Sequence, residues 1–165
     1  MGVNTGMDLT VSSMNRDYAI QILNWKYEIP YDFYNNELTQ EALEELLNSS
    51  YYALVDSKNE LFGFFCTGKS AQVPAGHVIG AYEENLVDLG LGMNPDKVGR
   101  GSGTDFCRFI LNVIKERHGN GKIRLTVAEF NQRAIHLYEK LGFEKAEEFK
   151  NDRASFITMV QGEES

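Results

Sequence analysis

The sequence has little of the features that mark several specialised classes of protein. Only two of its 165 residues are cysteine and only three are proline. Cys66 and Cys107 stand among apolar neighbours without the spacing of metal ligands, which predicts reduced core thiols rather than a disulfide framework or a zinc site. No apolar run approaches the ~20 residues that a membrane-spanning helix needs. The expected protein therefore has no disulfides and no membrane partner.

Positive charge is also scarce. The chain has 16 Lys and Arg against 24 Asp and Glu, a formal net charge of −8. That balance argues against a general nucleic-acid binder, which needs a basic surface, and it is compatible with a cationic acceptor such as an amine. The N-terminus lacks the basic patch and apolar stretch of a secretory signal. We expect a cytoplasmic protein in which residues 1–6 form a flexible tail and residues 7–165 form a single domain.

What the sequence does have is a glycine-rich turn between a predicted strand and a predicted helix. Leu86–Met93 is an apolar strand, and Gly99, Gly101 and Gly103 follow it in the stretch 94–104. Alternating glycines let several backbone N–H groups point at one phosphate, and a helix N-terminus adds to the attraction. The turn therefore indicates a ligand that carries a diphosphate. A merely tight connection between strand and helix is the alternative.

A second motif begins about thirty residues later. It has the spacing N-x-x-A-x-x-x-Y-x-x-x-G-F, which is filled by Asn131, Ala134, Tyr138, Gly142 and Phe143. Together the two segments resemble the GNAT superfamily of acyl-CoA-dependent N-acyltransferases, whose pyrophosphate loop reads Q/R-x-x-G-x-G/A. In that loop both glycines are present, as Gly101 and Gly103, while the leading Gln/Arg position holds Val98. The resemblance covers essentially the whole chain.

Hydrophobic periodicity and turn signals place strands and helices alternately along the chain. Strands are expected over 8–11, 51–55, 60–66, 86–93, 122–128, 143–149 and 155–160. Helices are expected over 16–24, 39–47, the amphipathic run that follows the glycine turn, and 132–141. This order predicts one α/β (α+β) domain. The resemblance implies a GNAT-like fold, with a single mixed, mostly antiparallel central sheet flanked by helices.

The resemblance further implies that acetyl-CoA is the cosubstrate and that no metal takes part. Backbone groups beside the strand would pair with the pantetheine arm, a main-chain N–H near Met93 would stabilise the oxyanion, and the glycine turn would bind the pyrophosphate, with Arg100 adding charge. The glycines of the strand, Gly90 and Gly92, indicate either a bulge or close backbone approach beside a ligand, or simply two weak positions in a core strand. The predicted cofactor-binding residues are Leu91, Gly92, Met93, Val98, Gly99, Arg100, Gly101, Ser102, Gly103, Thr104 and Asn131.

Two residues are predicted to manage protons. Tyr138 matches the family tyrosine that would protonate the departing thiolate, although a core tyrosine on a helix is the alternative. Thr126 stands where relatives that acetylate protein N-termini carry a glutamate, and threonine is no base at neutral pH. We therefore take Asp88 as the candidate general base, or else as a structural residue at a strand end. Further candidates are Glu28, Glu83, Glu84 and a water chain to bulk solvent.

The aromatic segment after the first helix is predicted to bind the acceptor. Its aromatic rings and acidic side chains would suit a cationic amine through cation–π and ionic contacts, although core packing is a common fate of such rings. The predicted substrate-binding residues are Trp25, Tyr27, Glu28, Tyr31 and Tyr34, together with Phe33.

The predicted function is an N-acetyltransferase that moves an acetyl group from acetyl-CoA directly to a primary amine of unknown identity, in a ternary complex. The alternative is a GNAT-fold acyl-CoA binder or sensor without transferase activity. A third reading comes from the stretch 63–70, which matches the phosphate-binding pattern G-x-x-x-x-G-K-[ST]. Its context is wrong, because Phe64 and Phe65 continue a strand through the would-be loop. A homodimer is possible, since GNAT-like domains often dimerise.

Overall fold

The computed structural model describes residues 8–48, 50–98, 101–119 and 121–161, and the predicted tail 1–6 lies outside them. The described chain forms seven strands and four α-helices. The strands are β1 (Thr10–Ser13), β2 (Tyr51–Val55), β3 (Leu61–Thr67), β4 (Val87–Met93), β5 (Ile123–Ala128), β6 (Phe143–Lys150) and β7 (Ser155–Gln161). The helices are α1 (Arg16–Asn24), α2 (Gln40–Leu46), α3 (Gly103–His118) and α4 (Gln132–Lys140). None of the helices in these ranges is long and apolar enough to cross a membrane.

The strands form one sheet in the order β1-β2-β3-β4-β5-β7-β6. Strands β4 and β5 run parallel, and the other neighbouring pairs are antiparallel. The prediction of a single mixed, mostly antiparallel sheet flanked by helices is therefore confirmed. Since parallel strands need a crossover, α3 occupies the connection between β4 and β5.

Side-chain caps define where three of the helices begin. Asn15 accepts a hydrogen bond from the Tyr18 N–H at 2.8 Å at the start of α1, and Thr39 accepts one from Ala42 at 3.1 Å at the start of α2. Asn131 caps α4 in the same way, accepting from the Ala134 N–H at 3.1 Å. Each cap satisfies one of the N–H groups that a helix start leaves without an intrahelical partner.

Helices cover both faces of the sheet. On one face, which we call the α3 face, helices α3 and α4 pack on apolar side chains that include Leu54, Leu89 and Leu125. On the opposite α1 face, α1 and α2 pack on the neighbouring positions Ala53 and Leu61. The α1 face continues over the far strands as a third cluster, in which Tyr82, Ala128, Phe149 and Phe156 pack with Phe33 and Tyr34. The sheet thus separates two surfaces that can serve different ligands.

Two segments differ from what the sequence predicts. The first strand lies at Thr10–Ser13 rather than at 8–11. The stretch 68–80, expected as loop, contains two short 3-10 turns, Gly68–Ala71 and Pro74–Ile79. The first of these turns follows β3 directly, so the phosphate-binding pattern of 63–70 runs through a strand and then a single turn. A phosphate loop instead opens a long helix, so the nucleotide reading receives no structural support.

Candidate active site

The two parallel strands at the centre of the sheet, β4 and β5, separate halfway along their length. Their ladder joins Val87 to Ile123, Asp88 to Arg124 and Leu89 to Leu125, and it ends there. Beyond it, β4 continues from Gly90 to Met93 paired only with β3, and β5 continues from Thr126 to Ala128 paired with β7. A wedge between 90–93 and 126–128 therefore opens at the carboxyl ends of both strands.

Hydrogen bonding shows which backbone groups of β4 face this wedge. The Asn94 N–H donates to the Phe62 carbonyl of β3 at 2.9 Å. Because pairing alternates along an antiparallel ladder, Gly92 and Gly90 also direct their backbone groups toward β3. The N–H and carbonyl groups of Leu91 and Met93 therefore point into the wedge. The Met93 carbonyl accepts from the Tyr27 hydroxyl. The remaining main-chain groups of Leu91 and Met93 lie beyond the β4–β5 ladder, where the predicted contacts with a pantetheine arm require them.

The glycines of β4 serve protein packing rather than a bulge. The β3–β4 register runs without interruption from Gly63–Met93 to Thr67–Leu89. A Cβ at Gly92 would clash with the Phe64 ring, which lies over that position on the α1 face. The close approach expected from the sequence is thus made by a side chain of the neighbouring strand.

The glycine turn leads from β4 into the N-terminus of α3. Gly101 has a φ of 76°, a left-handed conformation that favours glycine, and a Cβ there would meet nothing within 4 Å. The Phe106 N–H donates to the Ser102 carbonyl at 2.9 Å, which is the first helical bond. The preceding amides, from Ser102 to Asp105, therefore have no intrahelical partner and are available to an anion. The predicted contacts of Gly99 and Arg100 lie outside the described residues.

Val98, where the family pattern has Gln or Arg, closes the short 3-10 turn Pro95–Lys97. Its N–H donates to the Pro95 carbonyl at 3.3 Å. The Val98 amide thus already has a partner within the turn, and the Val98 side chain has no polar group. We accordingly expect the phosphate contacts to come from the amides after Gly101.

The phenol of Tyr138 lies half-buried on α4, with its ring 6.3 Å from that of Phe143. Burial raises the pKa of this hydroxyl, and the nearby Cys107 and Tyr34 raise it further. No residue in the described ranges hydrogen-bonds the Tyr138 hydroxyl. The phenol is therefore protonated at neutral pH and has its proton available for a ligand, as a general acid requires.

Asn131 joins this tyrosine region to the segment after α1. Besides capping α4, its side-chain amide donates to the Tyr34 hydroxyl at 3.1 Å. One side chain thus fixes both the start of the helix that carries Tyr138 and the position of Tyr34. Asn131 is thus the N-cap of α4, and its contact with pantetheine stays a prediction.

Asp88 makes the contacts of a structural residue. It is buried, and its Oδ1 accepts from the Arg124 Nε at 2.6 Å while its Oδ2 accepts from Arg124 Nη2 at 2.9 Å. Gln72 Nε2 also donates to Oδ2, at 2.8 Å. Both oxygens of this carboxylate are thus engaged by a bidentate guanidinium and an amide inside the protein. This arrangement favours the strand-end alternative for Asp88 over the general base.

Thr126 belongs to a hydroxyl pair that the sequence did not indicate. Its Oγ1 lies 2.8 Å from the Tyr82 hydroxyl oxygen, which also accepts from the Val73 N–H at 3.0 Å. The pair lies on the α1 face beside the wedge. Of the other candidate bases, Glu28, Glu83 and Glu84 are all exposed. No signal in the sequence connects Tyr82 with Thr126, since 44 residues separate them.

The segment between α1 and α2 bridges the mouth of the wedge. On the β4 side, the Tyr27 hydroxyl donates to the Met93 carbonyl at 2.6 Å, and on the other side Tyr34 meets Asn131. Burial raises the pKa of Tyr27 to about 12. Trp25 lies apart, with its ring 6.1 Å from Phe64 in the cluster beneath α1 and α2. Of the predicted acceptor residues, Tyr27, Tyr31 and Tyr34 are thus grouped near the wedge, while Trp25 packs in the core and Glu28 is exposed.

Two arginines lie over the aromatic rings of this segment. The guanidinium carbon of Arg133 is 4.2 Å from the centroid of the Tyr31 ring, and that of Arg153 is 4.5 Å from the centroid of Phe33. Phe130, 39% exposed, packs against both Phe33 and Tyr34. Beside them is an open cleft of about 420 Å³ lined by Glu129, Phe130, Arg153, Ala154 and Ser155. Sequence reasoning missed this cleft because one wall comes from the loop after β5 and the other from the β6–β7 turn and the start of β7.

Groups of three or more His, Cys, Asp or Glu side chains that could hold a metal ion do not occur within 8–48, 50–98, 101–119 and 121–161. Cys66 and Cys107 are buried and free. Burial raises the pKa of Cys66 to about 11 and that of Cys107 to about 12. Both thiols are therefore protonated at neutral pH, which does not suit a nucleophile.

Comparison with known proteins gives a family match. The sequence matches the model of the acetyltransferase (GNAT) family over residues 17–143, which is most of the chain. No curated protein matches it.

Solved structures share the fold at low sequence identity. A GnaT-family acetyltransferase described as putative, from Bordetella pertussis, has a TM-score of 0.70 at 16% identity, covering 98% of this chain and 99% of its own. A spermidine N-acetyltransferase chimera of Vibrio cholerae SpeG and hSSAT has a TM-score of 0.66 at 22% identity, covering 93% and 95%. AAC(6')-Ib, in complex with parmomycin and acetyl-CoA, has a TM-score of 0.68 at 18% identity, covering 93% of each chain. At these identities the likeness concerns the fold alone.

Proposed function

The chain belongs to the acetyltransferase (GNAT) family, and on that basis we propose that it transfers the acetyl group of acetyl-CoA directly to a primary amine in a ternary complex. The observation that carries the proposal is the wedge between β4 and β5. The glycine turn follows the β4 side of the wedge along the chain, and α4, which carries Tyr138, follows the β5 side. Amides for an anion, free strand edges for an extended arm and a proton donor thus come together at one end of the sheet.

In the proposed reaction the amine nitrogen attacks the thioester carbonyl carbon. The developing oxyanion receives a hydrogen bond from a main-chain N–H of the β4 edge, either Leu91 or Met93. The carbon–sulfur bond then breaks, and sulfur leaves with the electron pair. Tyr138 donates its proton to that sulfur as general acid. A thiol and an N-acetylated amine are the products.

The attacking amine must also lose a proton. Since Arg124 and Gln72 occupy both oxygens of Asp88, we propose that the proton leaves through water, beside the hydroxyl pair of Thr126 and Tyr82. An uncharged amine needs only a modest acceptor once it is held against the carbonyl. The absence of a glutamate at Thr126 is also what keeps the second candidate function, a non-catalytic acyl-CoA binder, under consideration.

Calorimetric titration with acetyl-CoA tests whether the glycine turn binds the diphosphate. Two matched variants make the test specific to that turn. Gly101→Glu puts a carboxylate in the turn, whereas Gly119→Glu puts one at the far end of α3. Both glycines have a left-handed φ, 76° and 74°, and open space where a Cβ would stand. Gly119 has a ψ of −155°, so its substitution also carries backbone strain. Only Gly101→Glu should nevertheless abolish binding, through repulsion of the diphosphate. An equal loss of acetyl-CoA binding in both variants would contradict diphosphate binding by the glycine turn.

Release of free thiol in the presence of an amine panel separates the two candidate functions. Transfer to at least one amine supports the transferase. Tight binding of acetyl-CoA with no transfer to any amine, and no effect of Tyr138→Phe, would support the non-catalytic binder instead.

A further inference from the structure

The charges around the bridging segment differ from those expected for a site that takes a polycation. The chain as a whole is acidic, yet Arg133 and Arg153 both project onto the segment that crosses the wedge. Two other arginines, Arg108 and Arg124, each have a carboxylate partner. Neither Arg133 nor Arg153 has one within the described ranges, although both are exposed. Two guanidinium groups are thus concentrated here without a direct ion pair in the described ranges, although Glu129 lines the same cleft as Arg153.

The aromatic rings hold these guanidinium groups in place. Arg133 rests on Tyr31 and Arg153 rests on Phe33, and Arg153 Nη2 also donates to the Phe33 carbonyl at 3.3 Å. A guanidinium that lies on a ring keeps its edge accessible, so the N–H donors of Arg153 other than the one bound to the Phe33 carbonyl can match a carboxylate. The same arrangement covers one face of each ring with a cation of the protein itself. A cationic ligand would therefore meet repulsion at the rings that the sequence suggested as its binding site.

A row of packed aromatic rings leads from the cleft beside Arg153 toward the reactive end of the wedge. Phe33, beneath Arg153, has its ring centroid 5.2 Å from that of Tyr34. Tyr34 is bound to Asn131 and is close enough to Tyr138 to raise the pKa of its phenol. The cleft is open to solvent and has a volume of about 420 Å³. An acceptor long enough to cross these rings would place one end at the wedge and the other against Arg153.

We propose that the acceptor is an amine that also carries a carboxylate, and that Arg153, assisted by Arg133, binds this carboxylate. The inference rests on the proposed transferase function and names the class of its acceptor. Arg153 lines the cleft directly, whereas Arg133 lies on the neighbouring Tyr31 and contributes positive potential. The exposed Glu28 and Asp32 belong to the same segment and are the groups that a polycation would use instead.

The test uses acceptors that differ only in the anionic group. A series of ω-amino carboxylates from glycine to aminohexanoate is compared with the corresponding amides, and spermidine and paromomycin serve as polycations. We expect at least one amino carboxylate to exceed its own amide in kcat/KM by roughly 10- to 100-fold, the effect of one charge-assisted hydrogen-bonded contact, and to exceed both polycations. Most of the difference should lie in KM, because the carboxylate is remote from the reacting atoms.

Variants assign the preference to Arg153. Arg153→Met keeps an unbranched apolar stem and should remove the advantage of the carboxylate, while Arg153→Lys should restore part of it. Arg117→Met is the matched control, since the Arg117 guanidinium also lies 4.5 Å from a ring centroid, that of Tyr52, on another part of the molecule. Glu129 lines the same cleft, so Glu129→Gln should lower KM for amino carboxylates by removing a like charge.

The outcomes separate this inference from the function on which it rests. Transfer that is as fast to amides or polycations as to amino carboxylates would overturn the inference and leave the transferase standing. Equal effects of Arg117→Met and Arg153→Met would also overturn it. Binding of acetyl-CoA without transfer to any acceptor would overturn both proposals together.

Discussion

Replacing Tyr138 by phenylalanine tests the central step of the proposed mechanism. The substitution removes one hydroxyl and keeps the ring, whose edge contact with Phe143, 6.3 Å between centroids, holds it on α4. Because no residue in the described ranges hydrogen-bonds that hydroxyl, little is lost in the folded state. We expect the free energy of unfolding to change by no more than about 0.5 kcal/mol.

Catalysis should respond much more strongly than stability. General acids contribute about 10²- to 10⁴-fold to a rate, so kcat should fall by that factor, which corresponds to about 3–5 kcal/mol of transition-state stabilisation. The KM for acetyl-CoA should change little, since the glycine turn and the β4 edge are untouched. Initial rates of thiol release and a urea denaturation curve, measured on the same preparations, give the two quantities.

The pH dependence gives a second check on the same residue. A general acid works in its protonated form, so its contribution is lost as pH rises through its pKa. Burial raises the pKa of Tyr138 above the ordinary value of 10.0. The wild-type rate should therefore show no loss attributable to this group up to about pH 10. An unchanged kcat in Tyr138→Phe, or a fall in kcat explained by an equal loss of folded protein, would refute the assignment.

Three further changes have distinct expected results. Asp88→Asn should destabilise the protein by roughly 3–5 kcal/mol in urea denaturation, because it leaves the Arg124 guanidinium buried without its carboxylate. A stable variant with kcat lowered about 100-fold or more would instead identify a catalytic carboxylate. Asn131→Ala should lower the free energy of unfolding, measured by thermal denaturation, by about 1–2 kcal/mol because it removes the cap of α4. Asn131→Asp should retain most of that free energy, since a carboxylate also caps a helix. Equal losses in the two variants would contradict the capping role. Burial raises the pKa of Cys66 to about 11 and of Cys107 to about 12, so neither should react with a thiol reagent at neutral pH until the chain is unfolded; rapid labelling of the native protein would show that one is accessible.

Local sequence signals predicted the elements of the fold well. Helix α1 occupies Arg16–Asn24 as expected, because apolar spacing and an asparagine cap act within one turn of each other. The hairpin at 56–59 forms because the Asp56 carboxylate accepts from the N–H groups of Lys58 and Glu60, at 2.9 and 3.0 Å. The less regular stretch 68–80 has no clear period, and its 3-10 turns were accordingly not predicted.

The site was predictable only in part, because a periodic pattern tells which side of an element is apolar and not what lies opposite. Asp88 was expected to be a base or a strand-end residue with equal justification. Its partners Gln72 and Arg124 stand 16 and 36 residues away along the chain, and only folding brings all three together. Trp25 is a predicted acceptor residue because of its aromatic character, and its contact with the Phe64 ring could not be read from the sequence.

The sequence by itself determined the family, the strand–turn–helix unit around Gly101, and the tyrosine that follows the capped start of α4. These features depend on residues close together in the chain, where φ preferences, caps and spacing act directly. The tertiary structure alone decided that β4 and β5 separate after Leu89, that Tyr27 and Tyr34 bridge the opening, and that arginines lie on the neighbouring rings. The physical reason is that strand pairing and long-range side-chain contacts depend on how the whole chain packs, which no local pattern encodes.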